Sequence, residues 1–117
     1  MQSSINITFR HLDHSGAVAD RARKLGSRLQ RFNERILQSR MTIERSGNPS
    51  DGAAPYLVKI DLTVPGAHIH ADSRGIDGAG HKDIYLALRD AFNNAKRQLQ
   101  DLHRDQSGSA RSLRPQS

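Results

Sequence analysis

Arg21, Lys24, Arg28, Arg31 and Arg35 follow one another at intervals of three and four residues. At about 100° per residue, that spacing strings cations along one flank of a helix. A row of permanent cations is chemistry for a polyanion: guanidinium forks match phosphate oxygens bidentately, and lysine adds a mobile point charge. No acid interrupts the row, since Asp20 and Glu34 both fall outside it. Solvated helix faces ordinarily mix signs, because opposite charges at i,i+4 support a helix and like charges oppose it. A helix that accepts such repulsion is suited to place a negatively charged partner there. A weaker row of the same rhythm recurs late in the chain: Tyr85, Arg89, Asn93, Lys96, Gln100 and His103, with Arg97 further round. Arg21, Lys24, Arg28, Arg31, Arg35, Arg89, Lys96 and Arg97 are therefore the candidate binding residues.

Other chemistries find less support. His68 and His70 share one face of an alternating segment, and an H-x-H pair can chelate a divalent ion. A third ligand would have to come from Asp72 or His81, and the spacing resembles no closed zinc site. Solvated histidines on a sheet face are the simpler expectation, and no metal or other cofactor is expected. There is no cysteine, no G-x-S-x-G, and no glycine loop in a strand-to-helix context; Gly75-Ile76-Asp77-Gly78-Ala79-Gly80 lacks that context. Binding rather than catalysis is expected, with no small-molecule substrate.

The composition agrees with a polyanion partner. The chain has 117 residues and a formal net charge of +6, a size for one small domain that buries a core without staples. Met1-Gln2-Ser3-Ser4 leads straight into alternating residues, without a basic n-region and apolar h-region. No apolar run approaches a membrane span, so a cytoplasmic protein is expected, and nucleic acid is the first polyanion to consider there.

The elements that must position the cations are legible from periodicity. Ile5, Ile7 and Phe9 alternate with polar neighbours, as in a half-buried strand. Ser15 is a plausible N-cap for a helix running to about Asn33, with Val18, Ala22, Leu25, Leu29, Phe32 and Ile36 as its apolar stripe. Gly26 interrupts that helix at a cost of up to about 1 kcal/mol relative to Ala, which a close helix–sheet or helix–RNA approach would explain. Leu37, Ser39, Met41 and Ile43 alternate in a second strand; Tyr56, Val58, Ile60, Leu62 and Val64 form the clearest strand. Pro65-Gly66 signals a turn, and Ala67, Ile69 and Ala71 complete a hairpin. Residues 74–82 read as loop. Asp83 can cap a second helix with core stripe Ile84, Leu88, Phe92, Ala95, Leu99 and Leu102.

The predicted order is β-α-β-β-β-α. A strand–helix–strand unit favours a parallel pair, and the next two connections suit antiparallel neighbours. The expected fold is α+β, a four-stranded mixed sheet with two helices packed on one face. The other face is then largely polar, carrying Arg40, Lys59, Asp61 and His70. The domain is predicted to span residues 1–104. Residues 105–117, with too few apolar side chains to pack, read as a disordered basic tail.

Several segments resemble one family. They are Ile5-Asn6-Ile7-Thr8, Phe32-Asn33-Glu34-Arg35-Ile36, Leu62-Thr63-Val64-Pro65-Gly66 with Ile69-His70-Ala71, Asp83-Ile84-Tyr85, and Arg97-Gln98-Leu99. In this order they resemble the ribosome hibernation promoting factors and ribosome-associated translation inhibitors, a bacterial family once labelled sigma-54 modulation proteins. The resemblance covers about residues 5–104. It implies the same β-α-β-β-β-α fold and docking on small-subunit ribosomal RNA, between head and body, where mRNA and tRNA would lie. It also implies a stress or stationary-phase factor that inhibits translation. Arg28, Arg35 and Arg97 match basic positions of the family pattern; Arg21, Lys24, Arg31, Arg89 and Lys96 are added from helical geometry. The chain departs from that pattern at Leu25 and Asn94, where lysines are common, in a thinned Leu102-His103-Arg104 cluster, and in a longer 74–82 loop. No C-terminal dimerisation domain follows, so a monomer off the ribosome is expected. A free-standing double-stranded-RNA-binding module is the alternative, with order α-β-β-β-α; the strand at Ile5 to Phe9 discriminates the two. A histidine-based metal-binding protein is the second alternative.

Overall fold

The alternating and helical segments fold into six elements: β1 (Ile5–Arg10), α1 (Gly16–Phe32), β2 (Gln38–Arg45), β3 (Tyr56–Val64), β4 (Ala67–Asp72) and α2 (Ile84–Ser112). The structure, a computed structural model, describes residues 5–45, 56–74 and 83–112, with side chains described as far as residue 102. The loop residues 75–82, including His81 and the three glycines, lie outside the described residues.

The four strands form one sheet in the order β1-β2-β3-β4. β1 pairs parallel with β2, with Ile7 beside Met41 and Phe9 beside Ile43. β2–β3 and β3–β4 are antiparallel, the latter closed by Pro65-Gly66 between the paired Val64 and Ala67. The strand that separates this order from a double-stranded-RNA-binding module is therefore present and paired.

Alternation decides which face is dry. Met41, Ile43, Val58, Ile60 and Leu62 are fully covered and share one core with Val18, Ala22, Leu25 and Leu29 of α1 and Leu88, Ala95 and Leu99 of α2. Both helices lie on that face: α1 touches β1, α2 touches β3 and β4, and the helices touch each other. Ala87 and Ala91 are also fully buried, a second inner row of α2 that the sequence stripe omitted. Their short side chains let α2 approach its neighbours closely.

The caps fall where the sequence put them. The Ser15 hydroxyl accepts from the Val18 N–H at 3.3 Å, and Asp83 accepts from the Tyr85 N–H at 2.9 Å. Each satisfies an N–H that the first turn of a helix leaves without an intrahelical partner. At Gly26, a Cβ would stand 2.7 Å from Ile5 Cδ1. The glycine thus marks a close approach of α1 to β1, and not a gap left for RNA.

Two sequence expectations are corrected. Phe32 ends α1 and is 43% exposed, and Leu37 is 60% exposed, so neither belongs to the core. Phe32 stands at the last position of α1 with Lys96 of α2 over its ring, and Leu37 precedes the first covered position of β2, Ser39. Arg35 lies beyond the helix, and its N–H donates to Asn33 Oδ1 at 2.9 Å in a local turn. The backbone of α2 is helical through Ser112. Once a helix is nucleated, each added residue fixes only its own dihedrals for one further hydrogen bond, so a polar sequence can prolong it.

Gly66 carries a backbone φ of +79°, and nothing lies within 4 Å of where its Cβ would be. Gly66→Ala therefore isolates backbone strain from steric clash. It is expected to cost about 1–2 kcal/mol, read as a lower urea midpoint with an unchanged m-value.

Candidate nucleic-acid interface

α1 places its cations by rotation alone. With Val18, Ala22, Leu25 and Leu29 turned into the core, Arg21, Lys24, Arg28 and Arg31 emerge on the exposed flank. Together with Arg23 and Ser27 they line an open depression on the helix surface. Arg23 is neutralised by Asp20 at 2.7 Å. Among the described residues, Arg21, Lys24, Arg28, Arg31 and Arg35 form no salt bridge.

The contribution of α2 is less uniform. Arg89, Lys96 and Arg97 are all exposed. Arg89 lies 3.4 Å from Asp90, however, and Arg97 donates to Asn94 Oδ1 at 3.2 Å. Lys96 has no carboxylate partner among the described residues; it lies over the Phe32 ring, 5.8 Å from the centroid.

That contact is one of three that cross between the helices. Arg21 lies over Tyr85 and Arg28 over Phe92, each 5.5 Å from the ring centroid. The sequence offset is the same in all three pairs, so α1 and α2 run side by side in one direction. Topology requires this: β1 and β4 are parallel through two antiparallel steps, and each helix returns across the strand before it. Cations within about 6 Å of a ring face are attracted to its quadrupole, by about 0.5–1 kcal/mol at exposed sites. The seam therefore joins the two basic rows into one surface. Arg21, Lys24, Arg28, Arg31 and Lys96 are brought together there; Arg97 is turned instead toward the β4 edge, in a cleft with His70, Asp72 and Gln98. Sequence reasoning placed Phe32 and Phe92 in the core stripe and missed their role here. No local pattern announces a contact whose partners sit on different helices.

The β4 edge gives two amides of α2 a structural role. Asn94 Nδ2 donates to the Asp72 carbonyl at 2.7 Å, and Gln98 Nε2 to the His70 carbonyl at 2.9 Å. Two amides of α2 thus satisfy outward carbonyls of an edge strand, which would otherwise be a template for another chain. Asn94 also accepts from Arg97 through Oδ1, so its amide uses both ends.

The open sheet face has the opposite electrostatic character. Lys59 lies 3.8 Å from Glu44, Arg74 lies 2.9 Å from Asp72, His70 contacts Asp61, and Arg40 is paired in register with Asp61. Burial raises the Asp72 pKa, but hydrogen bonds from Arg74 and the charges of Arg74 and Lys59 outweigh it and hold the carboxyl below its ordinary value. His68 and His70 stack with ring centroids 4.9 Å apart. Among the described residues, no group of three or more His, Asp or Glu side chains is placed to hold a metal. No helix among them is long and apolar enough to cross a membrane.

A family model described as Sigma 54 modulation protein / S30EA ribosomal protein matches residues 5–107. A solved ribosomal subunit interface protein from Coxiella burnetii is similar, with a TM-score of 0.67 at 19% identity, over 85% of this chain and 96% of that one. The N-terminal domain of Protein Y from Thermus thermophilus gives a TM-score of 0.65 at 18% identity, over 85% of this chain and 98% of that one. At such identities the likeness shows the fold. Comparison with curated proteins gives no match.

Proposed function

The chain belongs to the sigma-54 modulation protein / S30EA ribosomal protein family, and on that premise we propose that it is a ribosome-binding factor whose helix face docks on small-subunit ribosomal RNA. Bound at the mRNA and tRNA channel, it inhibits translation under stress or in stationary phase, as a cytoplasmic protein that acts by binding and not by catalysis. One observation carries the reading: five cations on the α1 side of the molecule have no salt bridge among the described residues, whereas on the open sheet face Lys59 is paired with Glu44 and Arg74 with Asp72. Unpaired cations release the counterions of the phosphates they contact; paired ones have little left to offer.

Within this proposal, Arg21, Lys24, Arg28, Arg31 and Lys96 bind phosphate directly from the seam. Arg35 extends the surface beyond the end of α1, Arg89 flanks the seam on α2, and Arg97 reaches phosphate from the side of β4. The domain acts as a monomer off the ribosome, which light scattering checks.

Co-sedimentation with purified small subunits tests the reading. Six or more phosphate contacts predict a fall in affinity of about 10³-fold or more between roughly 50 and 200 mM salt. The protein is expected to travel with small subunits at low salt and to remain at the top of the gradient at high salt, with translation inhibited only under the first condition. Binding that does not change over that range would overturn the proposal.

A further inference from the structure

The helix seam holds more than charge. Phe32 and Tyr85 are large aromatic side chains, 43% and 41% exposed, beside the cations of the helix seam. Each has a cation from the opposite helix over its ring, and the half-buried Phe92 has one between them. An exposed ring offers a cation a place to rest, and it also offers an apolar face that contact with phosphate alone does not use. Exposed rings interleaved with guanidinium and ammonium groups are what unpaired nucleotides require: a ring for the base face and a cation for the adjoining phosphate.

We propose that the α1–α2 seam is a stacking track for single-stranded RNA, with Tyr85 and Phe32 as base platforms and Arg21 and Lys96 as the cations that accompany each base. This rests on the reading of the helix face as a nucleic-acid interface and names the form of nucleic acid it takes. An RNA duplex buries its base faces in its own stack and offers only groove edges, phosphates and 2′-hydroxyls. An unpaired base has a free π-face, which stacks on an aromatic ring or on a guanidinium plane. Spacing points the same way. Tyr85 and Phe92 are two helical turns apart on α2, about 10 Å, and the Phe32–Lys96 pair lies about 6 Å further along. Successive bases in a stacked strand rise by about 3.4 Å, so a strand that uses two of these rings has its bases splayed apart. Arg21 and Lys96 are exposed, so a base can displace either from its ring while the side chain keeps its reach to the flanking phosphate.

The test uses the full chain and three 12-nucleotide probes: a single-stranded RNA, the same strand with abasic sites in its centre, and the same strand paired as a duplex. Fluorescence anisotropy is expected to show the single strand binding about 10-fold or more tighter than the abasic strand, and tighter than the duplex. Tyr85→Leu and Phe32→Leu are expected to remove that advantage while leaving abasic binding unchanged. A readout without ring variants comes from Tyr56→Phe, which leaves Tyr85 as the lone tyrosine of the two in the chain; its emission is expected to fall on adding the single strand and to hold with the abasic one. Equal, salt-sensitive binding of the normal and abasic strands, or a preference for duplex, overturns the stacking track and leaves the electrostatic interface standing. Ring variants that weaken both single strands equally also overturn it, since the rings would then only hold the cations in place. No binding of any probe together with no binding to small subunits overturns the track and the interface alike.

Discussion

Arg28→Glu combined with Arg31→Glu abolishes ribosome binding and leaves the domain folded: this is the largest functional effect expected of any surface change in the chain. Both side chains are exposed, neither forms a salt bridge among the described residues, and both line the depression on α1. A hydrogen bond to a charged group contributes about 1.5–3 kcal/mol. Removing two, and adding two repulsions against phosphate, predicts a fall in affinity of at least about 10²-fold at low salt. The salt dependence becomes shallower as well, by close to one unit of log–log slope for each phosphate that is no longer neutralised. Stability changes little, since exposed substitutions usually stay within about 0.5 kcal/mol. Arg28 gives up its position over Phe92, but a glutamate at position 28 relieves the repulsion with Lys24 one turn away. Arg40→Gln, on the opposite sheet face, is the matched control and leaves binding as it was. Binding titrations at two salt concentrations, with circular dichroism melts of each variant, decide the matter. A double variant that still binds and inhibits like the parent would reduce the row to a solvated helix face.

Leu29→Ala has the inverse signature and the largest effect on folding. Leu29 is 1% exposed on the inward side of α1, within the single core that both helices share with the sheet. Truncating such a leucine costs about 2–5 kcal/mol, the transfer free energy of the deleted atoms plus that of the cavity left behind. Domains of this size are stable by only about 5–15 kcal/mol, so a fall in melting temperature of roughly 10 °C or more is expected. Below that transition the variant binds normally, because the cations on the outer flank of α1 are untouched. Chemical denaturation and co-sedimentation at low temperature measure the two halves of this prediction separately. A Leu29→Ala protein with parental stability would mean that α1 is not anchored by its apolar stripe, and the assignment of inner and outer flanks would fail with it.

The two variants differ by one residue position and by opposite consequences, and that contrast was legible before any coordinates. A period of 3.6 assigns Leu29 and Arg28 to different sides of one helix, and alternation at a period of two assigns Ile60 inward and Lys59 outward on β3. Ser15 and Asp83 announced the helix starts because a first turn must have its N–H groups satisfied. From these local rules came the element order and the expectation of one dry and one polar sheet face, and both hold in the structure. The family followed from short segments spread over the same elements.

Other features depended on groups far apart in sequence. Periodicity carries the apolar stripe of α1 through Phe32 and that of β2 back to Leu37, but the helix end and the sheet end leave both exposed. Ala87 and Ala91 are core because α2 packs closely on its neighbours, a fact of interelement distance and not of hydropathy. Asn94 and Gln98 look like ordinary surface amides until the β4 edge lies beneath them. The pairing of Arg21 with Tyr85, Arg28 with Phe92 and Lys96 with Phe32 exists only because strand order makes α1 and α2 neighbours that run in the same direction. Local sequence determines which side of each element is apolar or charged, since that depends only on the helical or strand repeat. Which charged side meets which aromatic ring depends on how the sheet orders the elements, and only the tertiary structure decides it.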